Sequence, residues 1–470
     1  MSTERTVGGA PAGEPTGAAV DGELLLDVAA RVVGQASGGE GIEAYVVSGV
    51  DTEIRAYNGD VEALTSAASA GIGIRVVRDG RLGFAWAGSL DPAVVAQALA
   101  EARDNAEYAT PDEHVRLAEP DGVAAAGVDV WDPDLASVDT AAKVELALDT
   151  ERRARSADAR IRQVDSVDYG DGIVQAALVS TTGIRATWRR TSGYVSASVI
   201  AADGSGSQTG GGYSVGRGFA DIDPGVAVDD AVERAVRMLG ATKGASGRVT
   251  AVFDRRVATT ILGVISSALS GEAVTKGRSF FAGRLGEQVA DPAVTLVDDP
   301  TDPRAYAAAP YDGEGLACRR NVLIDGGVLR QFLYDTESAS RAGTVSTGSA
   351  VRGGFASTPG AGPRALALSP GAGDLDQAGV LAAVGEGLFI QSVTGVHSGV
   401  NPISGDFSVG VEGLMIRGGV LAEPVREVTV ASTLQRMLHS VVAIGADVEW
   451  LPGIAAGQTL AIADVQVSGV

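Results

Sequence analysis

The chain has 470 residues, of which 45% are apolar and 20% charged, an ordinary balance for a soluble globular protein of two to four domains. Its net charge of −22, from 59 acidic and 37 basic residues, opposes sequence-independent binding to a phosphate backbone and repels anionic membrane surfaces. The single cysteine, Cys318, excludes an intrachain disulfide. No run of about 18 apolar residues is present, so no transmembrane helix is expected. The N-terminal residues lack the apolar stretch of a secretory signal, and a cytoplasmic location is expected. The 64 glycines and 5% aromatic content point to many turns and much β structure, since glycine is costly inside regular elements.

Residues 1–20 are rich in Gly, Pro, Ala and Thr and read as a flexible tail. Helical spacing follows at Leu24, Leu25, Val28, Val32 and Val33. Strands are predicted over 42–48 and 53–57, then 70–77 and 82–87, with hairpin turns at Asn58-Gly59 and Asp79-Gly80. Asp91-Pro92 opens a helix to about Tyr108, with Asp as N-cap and Pro at the first helical position. Residues 110–136 read as a connector and 139–157 as a helix. Four strands are then predicted, over 161–169, 172–180, 184–190 and 193–202, with Asp171-Gly172 at a turn. Asp203–Gly212 reads as a mobile loop, followed by a helix over 224–239. Thr242–Gly247 reads as a domain linker. Beyond it come a strand at 249–253, a helix at 255–269, hairpins around Gly326-Gly327 and Gly418-Gly419, a helix at 434–444 and a final strand at 459–467. The pattern predicts an α+β fold: an N-terminal helix and antiparallel-sheet domain over 21–241, with sub-units at about 21–110 and 137–241, and a mostly β domain with a few helices over 248–470.

The sequence carries no complete metal or nucleophile site. His114, His397 and His439 are scattered, and none has a second His at the spacing of a zinc helix. Cys318 has no base near it in sequence and reads as a small buried hydrophobe. A phosphate-binding loop is absent, and Gly71-Ile72-Gly73 lies inside a strand pattern. Asp298-Asp299-Pro300 reads as a turn at a strand end. The densest run of special residues is Thr394–Gly413, where His397, Asn401, Ser404, Asp406 and Ser408 are interleaved with glycines. It reads equally as the lining of a binding slot and as a tight turn between strands.

Three signatures carry a resemblance. They are GEAVTKGRSFFAGRLGEQV (271–289) with VDDP (297–300), NVLIDGGVLRQFLYD (321–335), and Gly395–Gly413 with PVREVTVA (424–431). In these the chain resembles the TldD/PmbA family, a two-subunit zinc peptidase also known as a modulator of DNA gyrase. The resemblance runs from about residue 22 to 470. The TldD kind of subunit holds zinc on an HExxxH helix completed by a C-terminal Cys. Aligned on Gly271 and Gly286, Leu262 and Ser267 stand at the two His positions and Gly263 at the Glu position, and the tail from Trp450 to Val467 has no Cys. The chain is therefore similar to the TldE/PmbA kind. The resemblance implies a heterodimer with a TldD-type subunit, zinc in that partner and none bound by this chain, and unfolded or short peptides as substrate. A peptide-facing wall is expected around His397, Asn401, Ser404 and Asp406, and a homodimer when the chain is alone. No nucleic-acid or membrane partner is expected. A standalone peptide-binding or regulatory protein is the alternative, and an autonomous hydrolase using Cys318 or a hidden metal site a further rival.

Overall fold

The computed structural model describes residues 21–469; the tail expected over 1–20 lies outside the described residues. The N-terminal domain consists of helix α1 (Gly22–Val33), strands β1 (Gly41–Tyr57), β2 (Asp60–Arg78) and β3 (Arg81–Ala87), helices α2 (Pro92–Tyr108) and α3 (Thr140–Ser156), strands β4 (Ile161–Ser180), β5 (Arg185–Asp203) and β6 (Gly206–Gly216), and helix α4 (Pro224–Val236). The strands form one antiparallel sheet in the order β3-β2-β1-β4-β5-β6. The two expected sub-units share this sheet, because β1 pairs with β4 from Glu43↔Ser180 to Ala56↔Val167.

The predicted hairpins form as the turn chemistry requires, with positive φ at Asn58, Gly59, Asp79 and Gly80. The strands, however, run through places that read as breaks. β1 is continuous over 41–57 and β4 passes through Asp171-Gly172. A side chain at Gly170 would begin 2.5 Å from the Tyr194 ring, so glycine there makes room for a neighbour and marks no turn. Asp203–Gly212 is a hairpin rather than a mobile loop: Gly206–Gly212 already belong to β6. Gly210 and Gly212 let α4 lie against the strand, since a Cβ on them would fall 2.1 Å from the Ala231 carbonyl oxygen and 1.8 Å from that of Ala227.

Strand alternation divides the sheet into two faces. Even-numbered residues of β1 (Ala44, Val46, Ile54, Ala56) lie in the cores beneath the helices, α1 and α2 at one end and α3 and α4 at the other. Odd-numbered Tyr45 and Val47 pack on the other face with Leu178, Trp188 and two residues of the C-terminal domain, Leu316 and Phe355. A Cβ on Gly71 or Gly73 would lie 2.5 Å from the Phe355 ring and 2.2 Å from its carbonyl oxygen. That glycine pair is the seat of Phe355.

In the C-terminal domain, strands Gly247–Phe253, Gly387–Thr394, Asp406–Arg417 and Val420–Thr433 pair in sequence, and the last strand, Leu460–Ser468, pairs with both the first and the fourth. The five strands therefore close on themselves. Residues 242–247, read as a domain linker, also carry a short strand, Thr242–Lys243, paired in parallel with Val425–Arg426. One sequence reading changes here. The helix expected to reach Ile444 ends at His439, and Val441–Ile444 joins the last strand. Helix α5 (Arg255–Ala268) buries Val257, Ala258, Ile261, Leu262 and Ile265 in this domain's core. No described helix is long and apolar enough to cross a membrane.

A buried ion cluster joins the domains. Arg75 Nε on β2 donates to Glu43 Oε1 at 2.9 Å, and its Nη2 donates to Glu314 Oε1 at 3.2 Å. Arg352 pairs with Glu43 from the opposite side. Burial opposes ionisation of Glu43, but Arg352 and Arg75 hold its carboxyl below the usual range. Nearby, Asp298 Oδ1 accepts from the Arg364 and Ala365 amides at 2.9 and 2.7 Å, while Oδ2 is buried without a partner. Burial pushes Asp298 up to about 6.

Two predictions follow from these contacts. Gly212→Ala should cost about 1–3 kcal/mol of unfolding free energy by overpacking, whereas Gly204→Ala, with nothing within 4 Å of the new atom, should be near neutral; urea denaturation of both variants checks this. For Asp298, the folded state keeps its proton to about pH 6 and the unfolded chain loses it near 3.8. The native state thus binds more protons in that window, so stability falls as pH rises through it. Asp298→Asn should remove this loss. Relative to the wild type, the variant should gain on the order of 3 kcal/mol between pH 4 and 7, measured by denaturation at several pH values.

Candidate functional site

The second face of the sheet is left open at the end away from Tyr45. There Glu53 and Arg55 of β1, Ala63 and Thr65 of β2, Asp168 of β4, Tyr194 and Ser196 of β5 and Tyr213 of β6 floor a groove of about 550 Å3 beneath Pro452 of the C-terminal domain. A second space of about 410 Å3 shares Tyr213 and continues to Arg256 and Thr260 of α5 and to Gln391–Val393. The Arg256 guanidinium sits 5.0 Å from the Tyr213 ring centroid. The result is a sheet-floored groove that ends on helix α5.

Its wall is charged and rigid. Arg234 of α4, almost fully buried, donates from Nε to Asp230 Oδ1 at 2.8 Å and from Nη2 to Asp254 Oδ1 at 2.7 Å. The same Asp254 oxygen caps α5 by accepting from the Arg256 amide at 3.0 Å. One carboxylate thus fixes the start of α5 and ties it to the N-terminal domain. Gln391 Nε2 donates to the Arg234 carbonyl at 3.0 Å. Burial opposes the charge on Arg234, but Asp254 and Asp230 hold its pKa above the usual range; burial leaves Arg256 below it.

Helix α5 separates the three positions aligned with the zinc helix. Leu262 is 2% exposed in the core. Gly263 is half-buried beside it and Ser267 is exposed. A Cβ on Gly263 would meet nothing within 4 Å, and Ser267 Oγ donates to the Val264 carbonyl at 2.7 Å. Positions 262 and 267 of a regular helix are about 140° apart, so the structure does not bring them together.

The 394–413 segment follows directly on the groove wall at Gln391–Val393. It comprises a short helix, Val396–Gly399, a loop, and the start of strand Asp406–Arg417. Asn401 Oδ1 accepts from the amides of Ile403 and Ser404 at 2.9 and 3.3 Å. Ser404 Oγ donates to Asp406 Oδ2 at 2.7 Å, and the Asn401 amide donates to the Asp406 carbonyl at 2.9 Å. These three residues hold one another in a turn. His397 is exposed, and among the described residues its side chain makes no hydrogen bond or ion pair. His114 Nδ1 lies 3.2 Å from Ser340 Oγ, and His439 is exposed at the end of its helix. Cys318 is buried, and burial pushes its thiol up to about 12, which removes the thiolate that nucleophilic chemistry would need.

The groove is flanked by a bare strand edge. β3 covers β2 only from Ile72 to Arg78, so among the described residues the edge of 60–71 has no partner strand. Its stretch Ala63–Ala70 (ALTSAASA) carries no charge and no proline, the features that normally guard an edge.

The fold and groove thus define a two-domain α+β chain, a helix-backed antiparallel sheet docked face-on against a closed β domain. Three family models match it: PmbA/TldA metallopeptidase domain 1 at residues 42–106, the central domain at 133–239 and the C-terminal domain at 246–469. The chain belongs to the PmbA/TldD metallopeptidase family. It is 27% identical to metalloprotease PmbA of Escherichia coli O157:H7, over 95% of this chain and 96% of that one. It resembles the solved structure of a protein described as a modulator of DNA gyrase from Bacteroides thetaiotaomicron, with 27% identity, 96% and 98% coverage and a TM-score of 0.82. TldE from Thermococcus kodakarensis shares the fold, with a TM-score of 0.83 at 22% identity over 95% and 99% of the two chains.

A metallopeptidase family implies a metal, and the donors on α5 do not fit one. Leu262 and Gly263 have no ligand atom, and the Ser267 hydroxyl is turned back to its own helix. Among the described residues, no three His, Cys, Asp or Glu side chains form a group that could hold a metal ion.

The groove residues Tyr194, Ser196, Tyr213, Arg256 and Gln391 escaped sequence reasoning because they come from four separate elements. One local signal was present: Arg190, Ser192, Tyr194, Ser196 and Ser198 alternate along β5 as a polar face. Asn401→Ala should lower stability by about 1 kcal/mol through loss of the turn, while His397→Ala should leave the melting temperature unchanged; thermal unfolding of the two variants tests the division.

Proposed function

We propose that this chain is the non-catalytic, TldE/PmbA-like subunit of a zinc peptidase. It pairs with a TldD-type subunit and helps enclose unfolded or short peptides, with zinc held by the partner. The observation that carries this reading is the end of the groove. It ends on α5 at Arg256, Val257 and Thr260, and farther along the same helix Leu262, Gly263 and Ser267 supply neither metal ligand nor general base. The bare β2 edge favours main-chain pairing with an extended peptide or a partner strand, and small side chains along it suit capture that tolerates many sequences. His397, on the short helix before the Asn401–Asp406 turn, is exposed and has a side chain to offer a peptide. A net charge of −22 disfavours a direct role on DNA.

Co-expression with a TldD-type subunit tests the reading. The pure chain should carry no stoichiometric zinc by elemental analysis. The copurified pair should cleave an unfolded reporter peptide at least about tenfold faster than the TldD-type subunit alone, a difference of roughly 1.4 kcal/mol in barrier. Equal activity of that subunit alone, or failure of the two chains to copurify, overturns it.

A further inference from the structure

A third cavity, of about 290 Å3, lies on the same sheet face between the two domains. Three guanidiniums, those of Arg190, Arg352 and Arg364, line it, and no carboxylate does, in a chain with 59 acidic residues. The side chain of Arg352 is 2% exposed. Its Nε donates to the Gly313 carbonyl at 2.6 Å and it also pairs with Glu43, yet its Nη1 is buried without a partner. Arg364 has a buried, unpartnered Nε and otherwise only a 3.5 Å contact from Nη2 to the Ala350 carbonyl. Among the described residues the Arg190 side chain makes no hydrogen bond or ion pair.

The acids near the cavity act on its cations only at longer range, Asp51 on Arg190 and Asp298 and Asp312 on Arg364, and make no direct pair with their free N–H groups. Glu43 is taken by Arg75 and Arg352. Asp312 accepts from the amides of Glu314, Leu316 and Ala350, and Asp298 from those of Arg364 and Ala365. One wall is aromatic: Tyr45 stacks on Trp188 at 5.8 Å, and Trp188 lies 6.0 Å from Tyr311. Unpaired N–H groups on buried cations are costly, and an oxyanion is the group that satisfies several at once.

We propose that this cavity is a binding site for a carboxylate carried on a compact aromatic or apolar body. The carboxylate meets the free N–H groups of Arg190, Arg352 and Arg364, and the body rests on Tyr45 and Trp188. The head group is assigned as a planar carboxylate, whose two oxygens match the paired N–H groups of a guanidinium, with phosphate as the competing oxyanion. The volume suits one residue-sized group and not a folded partner.

Isothermal titration of the full chain with N-acetyl-L-phenylalanine, its uncharged amide and phenyl phosphate tests this. The acid should bind at least about tenfold more tightly than the amide, and Arg190→Gln or Arg364→Gln should weaken it by about tenfold to a hundredfold. Arg190→Gln should leave the melting temperature without ligand unchanged, since among the described residues its side chain has no hydrogen bond or ion pair, whereas Arg364→Gln, which removes a charge acting on Asp298 and Asp312, is read by affinity alone. Equal binding of acid and amide, no binding of either, unchanged affinity in both variants, or tighter binding of phenyl phosphate would each overturn the assignment. No partner subunit enters the measurement, so its outcome is independent of the proposed peptidase role.

Discussion

A β-sheet has two faces, and six strands up to 20 residues long leave a large second face once helices have covered the first. The groove and the Arg-lined cavity both lie on that second face. The C-terminal domain covers one end of it, seating Phe355 on Gly71 and Gly73 and matching charge with charge through Arg75, Glu43, Glu314 and Arg352. The uncovered remainder is the groove. A buried ion pair gains little net stability over an apolar contact but strongly penalises misdocking. The two clusters, around Glu43 and around Asp254, therefore fix how the domains meet more than how firmly.

The Asp254 cluster shows how docking sets the site. Asp254 caps α5, receives Arg234 from the other domain and sits beside Asp230, which holds Arg256 over Tyr213. The direction of α5, the groove wall and the domain contact depend on one carboxylate. The helix that ends the groove is thereby held in a fixed direction against the N-terminal domain.

Glycine was the main obstacle to reading the strands. At Gly59, Gly80, Gly326, Gly327, Gly418 and Gly419 the chain turns with positive φ, and the turns were legible. At Gly71, Gly73, Gly170, Gly210 and Gly212 the same residue sits inside a strand because a ring or a helix backbone occupies the space of its side chain. The two uses look alike in a linear sequence, since the cause of the second is a neighbour brought in by the fold. Asp203–Gly212 was misread as a loop for this reason. Thr394–Gly413 reads as either slot or turn, and hydrogen bonds hold Asn401, Ser404 and Asp406 in a turn while His397 and Ser408 lie outside it.

The sequence by itself determined the α+β class, the helices with their Asp caps, the hairpins, the family, and the absence of ligand side chains at positions 262, 263 and 267. These rest on local spacing and residue chemistry, which survive without coordinates. Only the tertiary structure decided that 21–110 and 137–241 share one sheet, that Leu262 is core while Gly263 is half-buried and Ser267 exposed, and that Arg190, Arg352 and Arg364 meet in one cavity. Each depends on which strand lies beside which and which face is covered, and those pairings join residues more than a hundred positions apart.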